Sequence, residues 1–438
     1  MTGSKKNISI FPILLVNFTG TLGFSIVLPF LVFLVNRFGG NAIVYGLLGA
    51  SYPFFQLIGA PVLGKWSDIY GRKKILLLSE GGTLLGWIIF LTAFFLPVSV
   101  LFSITSKLSG TFLITIPLLA LFIARAVDGI TGGNVSVANA YIADITDEKD
   151  RTKNFGRMSV SANLGFILGP ALAGILGSTV YGEMLPVLMT LIISLVSVLI
   201  IIFLLSDSRA REFKVDPEKV NIKKVLGFEN KECFKMKGED RLTLKQVLRM
   251  QGIPFILLLY FLVFLGFNFF YTAFPVHMIQ KLKWTITEMG IFFSVLSVLL
   301  VIVEGPVLAF VSKRISSVSL VIAGNLILGT NFLLLMSLNP ILIYCAVVLF
   351  ALGNGLMWPS LLAILSKAAG EKYQGSVQGF ASSAGSLASI IGLIAGGILY
   401  SSTGTFTFLV SAFVIYSVFL LSFKLLRLNR PQSTGLPV

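Results

Sequence analysis

Charged residues are scarce in this chain: they make up 12% of its 438 residues, while hydrophobic residues make up 55%. Soluble domains carry charge on roughly a quarter of their residues, because charged side chains cover the water-facing surface. This composition therefore excludes an ordinary water-soluble protein and indicates that a lipid bilayer is part of the solvent.

Cysteine and histidine are nearly absent as well, with two cysteines and one histidine. Cys233 falls in a polar stretch and Cys345 in an apolar run, so their spacing suits neither a disulfide framework nor a metal site. The sequence also has no phosphate-binding glycine loop and no nucleophile paired with a base. We therefore predict no enzyme, no cofactor and no bound metal, and expect any energy for work to come from a gradient.

Acidic residues are few, 19 against 34 lysines and arginines, which gives a net charge of +15. The cations lie in short segments between apolar runs, so we interpret them as topology signals and expect no nucleic-acid partner. All but five lie on the side of both termini and the central polar segment; the exceptions are Arg37, Lys107, Lys281, Lys283 and, inside an apolar run, Arg125. This asymmetry predicts cytoplasmic termini in a cell membrane.

Most of the sequence consists of long apolar runs. A spanning helix needs about 20 apolar residues, and the runs predict twelve spans near 8–36, 42–64, 74–97, 112–143, 155–180, 184–205, 252–277, 287–311, 317–337, 341–366, 374–400 and 404–426. The sequence thus predicts an all-α membrane protein with an N-terminal six-helix bundle (1–205), a cytoplasmic linker (206–251), and a C-terminal six-helix bundle with a short tail (252–438). Within the linker, "EDRLTLKQVLRM" suits either a surface amphipathic helix or a solvated segment.

The two halves repeat each other. "APVLGKWSDIYGRKKILLLSE" (60–80) aligns with "GPVLAFVSKRISSVSLVIAGN" (305–325), and "GFILGPALAGIL" (165–176) with "ASIIGLIAGGIL" (388–399). Each pair occupies the same ordinal span in its half and points the same way. A parallel repeat of this kind is found in transporters that bind substrate at the midplane between their halves.

Three motifs resemble one family. "GKWSDIYGRKK" (64–74) resembles the loop between spans two and three of the major facilitator superfamily, and "ARAVDGITGGNVSVANAYIADITDEKDRTKNFG" (124–156) resembles spans four and five of its tetracycline-efflux and related drug:proton antiporters. "GEKYQGSVQGFASSAGSLASIIG" (370–392) resembles their eleventh span. The resemblance implies alternating access, with a cavity lined by spans one, four, seven and ten.

The loop motif contains an acid that topology does not require. Gly64 and Gly71 permit a tight backbone between two helices. The resemblance implies that Asp68 lies against the N-terminus of the eleventh span and that Arg72 pairs with Asp144, so that both contacts latch the cytoplasmic face. The alternative is a topology anchor with incidental ion pairing.

Four charged residues lie well inside predicted spans, away from their ends. Arg125 is about 20 Å from the outer end of span four, and Asp128, three residues later, shares its face. Asp128 is a candidate proton site tuned by Arg125, or else half of a fixed structural salt bridge. Glu80 and Glu304 are further candidates for carrying protons or meeting cationic compounds, although Glu80 also suits an interfacial pairing with Lys73 or Lys74.

Two positions depart from the tetracycline exporters. The resemblance places acids of those proteins at positions that are Asn17 and, by our alignment, Gly86 here. Proton coupling through span one, and tetracycline as substrate, therefore do not follow from the resemblance.

Span five has a glycine motif, "GFILGPALAGILG", with Gly165, Gly169 and Gly174 on nearly one face and Pro170 bending the helix. The resemblance links this motif to export; ordinary close packing explains the same glycines.

Uncharged polar and aromatic residues recur where the resemblance places the cavity. Amides among many phenylalanines suit an amphiphilic organic molecule, and each also suits a helix–helix hydrogen bond. The candidates in these spans are Asn17, Asn134, Asn268, Tyr271, Asn354 and Trp358, to which we add Gln56 from span two and Asn163 from span five.

These features together predict a monomeric secondary transporter that exports amphiphilic, drug-like compounds in exchange for protons. The partners we expect are the lipid bilayer, protons and a small organic substrate. Two alternatives stay open: an exporter or uncoupled carrier of a lipid, siderophore or metabolite, and a membrane receptor that transports nothing.

Overall fold

The computed structural model describes residues 9–106, 110–146, 148–206 and 244–428, which are largely helical. The helices are α1 (Phe11–Arg37), α2 (Ala42–Tyr70), α3 (Arg72–Thr92), α4 (Ile116–Ile130), α5 (Asn134–Ile145), α6 (Glu148–Gly177), α7 (Met184–Phe203), α8 (Ile253–Leu282), α9 (Ile286–Ile302), α10 (Ser317–Leu334), α11 (Pro340–Thr403) and α12 (Phe406–Ser422). After α9 the chain continues through a π-helical turn, Val303–Val307, into Leu308–Val311.

Most predicted spans are present as single helices. Ten helical segments in the described ranges are long and apolar enough to cross a membrane. An eleventh is α1, whose segments Phe11–Val27 and Pro29–Arg37 meet at 45° beside a proline that interrupts helical hydrogen bonding. Gly370, with φ 66°, divides α11 into two spans, Pro340–Gly370 and Val377–Thr403. The predicted all-α membrane fold is confirmed.

The fourth predicted span, 112–143, is wrong as one continuous helix. Its first residues belong to an antiparallel hairpin of β1 (Val100–Ser106) and β2 (Gly110–Thr115), and its remainder is broken between α4 and α5. The pairs Phe102–Ile114 and Ile104–Phe112 explain the strands, because β-branched and aromatic residues favour sheet pairing. Two short helices, α4 and α5, therefore occupy 116–145 in place of one continuous helix.

The break between α4 and α5 is held by side chains of α2 and α3. Thr131, Gly132 and Gly133 occupy the break, and adjacent glycines have low helix propensity. The Gln56 amide donates to the Gly132 carbonyl at 3.0 Å, and the Ser79 hydroxyl donates to the Thr131 carbonyl. These contacts satisfy backbone acceptors that hydrocarbon could not.

The described residues form two compact units. The first comprises those up to Ser206 together with Lys283–Ser294, and the second comprises 244–282 and 295–428. Phe30, Leu121 and Val187 belong to the larger hydrophobic cluster of the first unit. Phe270, Phe332 and Phe350 stack on one another in the second.

Part of the predicted linker lies outside the described residues, as do Cys233 and the ends of the chain. Of the proposed amphipathic stretch, 239–250, the described part contains one helical turn, Leu244–Val247.

Glycine contacts between α2 and α4 predict an asymmetry in stability. A methyl group at Gly59 would overlap the Ile130 carbonyl, whereas one at Gly64 would meet no atom within 4 Å. Gly59→Ala should lower the free energy of unfolding by about 1–3 kcal/mol through overpacking. Gly64→Ala, in the same helix, should leave it unchanged or raise it by up to about 1 kcal/mol. Thermal unfolding in detergent measures both, and equal midpoints for the two variants would contradict this packing.

Candidate functional site

Arg125 and Asp128 face each other inside the first unit. Their side chains are 7% and 15% exposed, and Arg125 Nη1 lies 3.8 Å from Asp128 Oδ2. This distance is an ion pair without a hydrogen bond, since a charge-assisted hydrogen bond is about 2.7–2.9 Å long. The Thr83 hydroxyl donates to Asp128 Oδ1 at 2.8 Å. Asp128 is therefore held more closely by a neutral hydroxyl than by the cation.

The Arg125 guanidinium is also incompletely bonded. Its central carbon lies 5.6 Å from the centroid of the Phe90 ring, within the range of a cation–π contact. Its buried Nε has no hydrogen-bond partner in the part of the chain that the structure describes. Arg125, Asp128, Phe90 and Gly86 line one narrow cleft. The Arg125–Asp128 pair is thus a loose contact, and Arg125 Nε is a donor that no described residue accepts.

Glu80 is buried, with 1% of its surface exposed, in the middle of α3. Its Oε1 accepts a hydrogen bond of 3.2 Å from the amide of Asn134, the first residue of α5. The interfacial alternative places a lysine beside it, but Lys73 instead donates to the Ile202 carbonyl. The structure therefore joins Glu80, a predicted proton site, and Asn134, a predicted cavity residue, by one hydrogen bond.

Three residues of α3 contact the broken helix, one before, one at and one after the break. Thr83 contacts Asp128 before the break, Ser79 contacts Thr131 at the break, and Glu80 contacts Asn134 after it. Sequence reasoning selected Glu80 but missed Ser79 and Thr83. Their spacing was the available signal, because residues four apart share one helix face.

Gly86 lies directly opposite Asp128. A methyl group on it would be 3.2 Å from the Ala124 carbonyl and 3.3 Å from Asp128 Cβ. A side chain at this position would point to the place where Asp128 stands. Asp128 and Gly86 are therefore spatial neighbours. The resemblance places an acid of span three at Gly86, and here Asp128 of span four lies directly beside that position.

In the second unit, Glu304 is half-buried in the π-helical turn. A methyl group on Gly355 would lie 3.5 Å from Glu304 Cγ, which places the glutamate against the first span of α11. No lysine or arginine whose side chain the structure describes forms an ion pair with it. The π turn arises where Pro306 lacks the N–H that an α-helix needs.

Aromatic rings and amides lie near the same part of α11. Trp358 contacts Tyr260 and Phe264, with ring centroids 4.9 and 5.1 Å away. The buried Asn354 Oδ1 has no partner among the described residues. Asn268 donates to Ser389 at 3.1 Å and to its own helix, so it joins two helices, and Tyr271 packs on Phe270.

Three other cavity candidates have structural contacts or lie at the surface. Asn17 donates to the Met158 carbonyl at 2.9 Å and to Ser161 at 2.8 Å, which ties α1 to α6. Gln56 holds the break, as described above, and Asn163 is exposed.

The span-five glycines pack tightly within the first unit. Side chains at Gly165 or Gly169 would overlap α1, and the Ser25 hydroxyl donates to the Gly165 carbonyl at 2.8 Å. Gly174 contacts Gly290. Helix α6 remains helical through Pro170. Close packing is sufficient to explain these glycines.

Arg72 connects two acids at the α2–α3 turn. Its Nη1 lies 2.6 Å from Asp68 and its Nε 2.8 Å from Asp144. Gly71 has φ 97°, which makes it the single residue that needs glycine there. The expected tight backbone at Gly64 is wrong, because α2 continues to Tyr70 and Gly64 lies within it.

These shared contacts predict non-additive effects on stability. Because Arg72 binds both acids, Asp144→Asn should cost up to about 1 kcal/mol in the native protein and almost nothing in an Arg72→Gln background. Chemical unfolding of the single and double variants gives the coupling energy. Arg72→Gln combined with Glu183→Gln, which pairs with Arg37, is the additive control. Additivity in both cycles would contradict the pairing.

Comparison with known proteins agrees with this architecture. The model of the Major Facilitator Superfamily matches residues 13–392 and, in a second match, 256–437. The class E tetracycline resistance protein of Escherichia coli is 27% identical over 395 residues, covering 89% of this chain and 87% of that protein. Multidrug resistance protein 2 of Bacillus subtilis (strain 168) is 26% identical over 421 residues, covering 94% of each.

A solved structure of a D-xylose-proton symporter is similar in fold. It has a TM-score of 0.71 and 16% identity, covering 95% of this chain and 97% of that one. Together with the family match across nearly the whole chain, the helical spans and the internal repeat have one explanation: this chain is a multi-pass membrane protein that belongs to the major facilitator superfamily.

Proposed function

We propose that this protein is a secondary active transporter that exports amphiphilic, drug-like compounds in exchange for protons by alternating access. The names of the relatives support export of this kind: tetracycline resistance and multidrug resistance proteins. Because packing alone explains the span-five glycines, export rests on those relatives. The chemistry rests on the buried acids of the two units.

The loose Arg125–Asp128 pair is the observation that carries proton coupling. At 3.8 Å the cation does not hold the carboxylate by a hydrogen bond, and Thr83 does. A proton on Asp128 removes the charge that attracts Arg125 and leaves the Thr83 contact possible, because a hydroxyl both donates and accepts. Proton binding therefore releases Arg125 without leaving Asp128 unpaired.

Glu80 would respond to protons through Asn134. An amide can donate to a carboxylate or, after turning over, accept from a carboxylic acid. Because Asn134 begins α5 directly after the break, a change in this contact acts on the helix segment that leads to Asp144. Glu80 and Asp128 thus act on opposite sides of the break.

The second unit supplies features suited to the organic substrate. Among the described side chains, Glu304 forms no ion pair and Asn354 Oδ1 has no donor. Together with the rings of Tyr260, Phe264 and Trp358, they favour a molecule that has apolar bulk and a hydrogen-bond donor or positive charge. Span one contains no aspartate or glutamate that could serve in coupling, and the Asn17 amide is occupied by contacts to α6. We therefore favour lipophilic cations over tetracycline.

We further propose that the α2–α3 turn gates the cytoplasmic face. Arg72 keeps Asp68 and Asp144 in fixed positions within the first unit. Asp68, the most exposed of the three at 38%, can then meet the N-terminus of the eleventh span, where a helix dipole favours an anion. In this proposal the protein is a monomer in the cell membrane, with cytoplasmic termini.

Gradient-driven transport tests the function. Proteoliposomes with an imposed pH gradient should move fluorescent lipophilic cations faster than they do without it. Asp128→Asn and Glu304→Gln should each reduce transport to the rate without a gradient, because neither amide can carry a proton. Glu288→Gln, on an exposed helix end, is the matched control and should transport normally.

Two results would contradict this function. Transport of lipophilic cations at the same rate with and without the pH gradient would favour an uncoupled carrier. Faster transport of lysolipids than of lipophilic cations would favour a lipid exporter. If Asp128→Asn and Glu304→Gln both transport normally, the proton sites lie elsewhere.

Loss of the Asp68 charge should open the cytoplasmic face. A contact worth about 1 kcal/mol changes the ratio of two states about fivefold. In a background without native cysteines, a reporter at Val160→Cys should be labelled faster in Asp68→Asn than in the parent. Asp150→Asn, an exposed acid on α6, is the control. Equal labelling rates in Asp68→Asn and its control would rule out the gate.

A further inference from the structure

Two tyrosines lie on one face of α2. Tyr45 and Tyr52 are seven residues apart, which returns a helix nearly to the same direction. This face packs on α4, because a methyl group on Gly129 would lie 2.6 Å from the Tyr52 carbonyl oxygen. Both side chains are partly buried, and the proton sites described above use neither phenol.

Tyr52 is the tyrosine that adjoins the buried charges. The charges of Asp128, Arg125 and Glu80 are close enough to act on its phenol. Of these three, only Arg125 acts on Tyr45. Tyr52 therefore faces titratable groups of both α3 and α4, and Tyr45 faces the arginine of α4.

Side chains of α1 and α2 hold the phenol in place. Its ring packs on Phe24, with centroids 5.9 Å apart, and α1 has no titratable side chain before Arg37. The Gln56 amide donates to Tyr52 Oη at 3.0 Å and to the Gly132 carbonyl at the break, also at 3.0 Å. Because the amide nitrogen carries two hydrogens, each contact uses one. Tyr52 Oη thus accepts a hydrogen bond, and its own proton remains to be donated.

A donor and an acceptor in this region are each incomplete. The Tyr52 hydroxyl donates to no residue that the structure describes. Asp128 Oδ1 accepts from Thr83, whereas Oδ2 has only the Arg125 contact at 3.8 Å. A buried polar atom without a partner costs free energy. The two atoms suit each other, since a phenol O–H donates and a carboxylate oxygen accepts.

We propose that Tyr52 is a positioning residue for proton exchange at Asp128: its hydroxyl donates to Oδ2 of the ionised carboxylate, directly or through one water molecule. The inference rests on the proposed role of Asp128 in proton coupling. Together with Thr83, the phenol sets how readily the carboxylate accepts a proton. Since Gln56 joins the phenol to the break, a movement of the break changes the proton affinity of Asp128.

Titration of the purified full-length protein in detergent tests the positioning role. Infrared absorption of protonated carboxyl groups, followed across pH, gives the midpoint of Asp128 as the component that Asp128→Asn removes. Tyr52→Phe should move this midpoint upward by about one pH unit, because the charged form loses a hydrogen bond. Tyr45→Phe, on the same face, is the matched control and should leave the midpoint unchanged. Equal midpoints in Tyr52→Phe and the native protein would overturn the proposal.

A fluorinated tyrosine at position 52 should shift the midpoint in the opposite direction. Its phenol is more acidic and is a stronger donor, while its ring keeps the contact with Phe24. A purely structural role predicts instead that Tyr52→Phe lowers the thermal unfolding temperature and leaves the midpoint in place. That result would also overturn the proposal.

A double-variant cycle tests the link to the break. Gln56→Leu should raise the Asp128 midpoint in the native background and have almost no further effect in Tyr52→Phe, because members of one hydrogen-bond network are not additive. Fully additive shifts would show that Gln56 does not act through Tyr52 and would overturn this link.

Transport assays separate this inference from the proposed function. If the midpoint shifts in Tyr52→Phe but transport ignores the pH gradient, proton coupling fails and the Tyr52–Asp128 contact stands. If transport follows the gradient but the midpoint does not shift, the inference fails alone. If Asp128→Asn removes no infrared component, Asp128 binds no proton and both fail.

Discussion

Lipid offers no hydrogen bonds, and this constraint determines the centre of the first unit. The break at Thr131–Gly133 releases backbone carbonyls inside a predicted span, where each unpaired group costs roughly 1–3 kcal/mol or more. Gln56 and Ser79 satisfy two of them. Because those donors come from α2 and α3, the break fixes how these two helices approach α4 and α5.

The same approach places the buried acids. With Ser79 held at Thr131, the next residue, Glu80, faces Asn134, and Thr83, one turn further, faces Asp128. Glycines make this distance possible: side chains at Gly82 or Gly59 would overlap Thr131 or Ile130. The polar contacts around Asp128 and Glu80 are therefore consequences of a backbone interruption as much as of the acids themselves.

The spans could be predicted from sequence because their signal is local. Twenty apolar residues reveal a crossing wherever they occur, and a glycine before three cations reveals the turn at Gly71. The hairpin at 100–115 was missed because most of its second strand reads as the start of the predicted span 112–143, and only pairing with the first strand distinguishes the two structures. The break was missed because "TGG" interrupts a run whose hydropathy continues on both sides.

The sequence also did not predict which polar residues pair when they are far apart in the chain. Arg125 and Asp128 were found together because they lie three residues apart, whereas Glu80–Asn134 and Asn17–Ser161 join separate helices. A single sequence records which side chains are polar but leaves their partners open. Gln56 shows the consequence: its amide suits a substrate or a carbonyl equally well, and only the position of the break decides between them. In a membrane interior the backbone must be satisfied first, and in our proposal polar side chains that are not used for this, such as Glu304 and Asn354, are the ones available to ligands and protons.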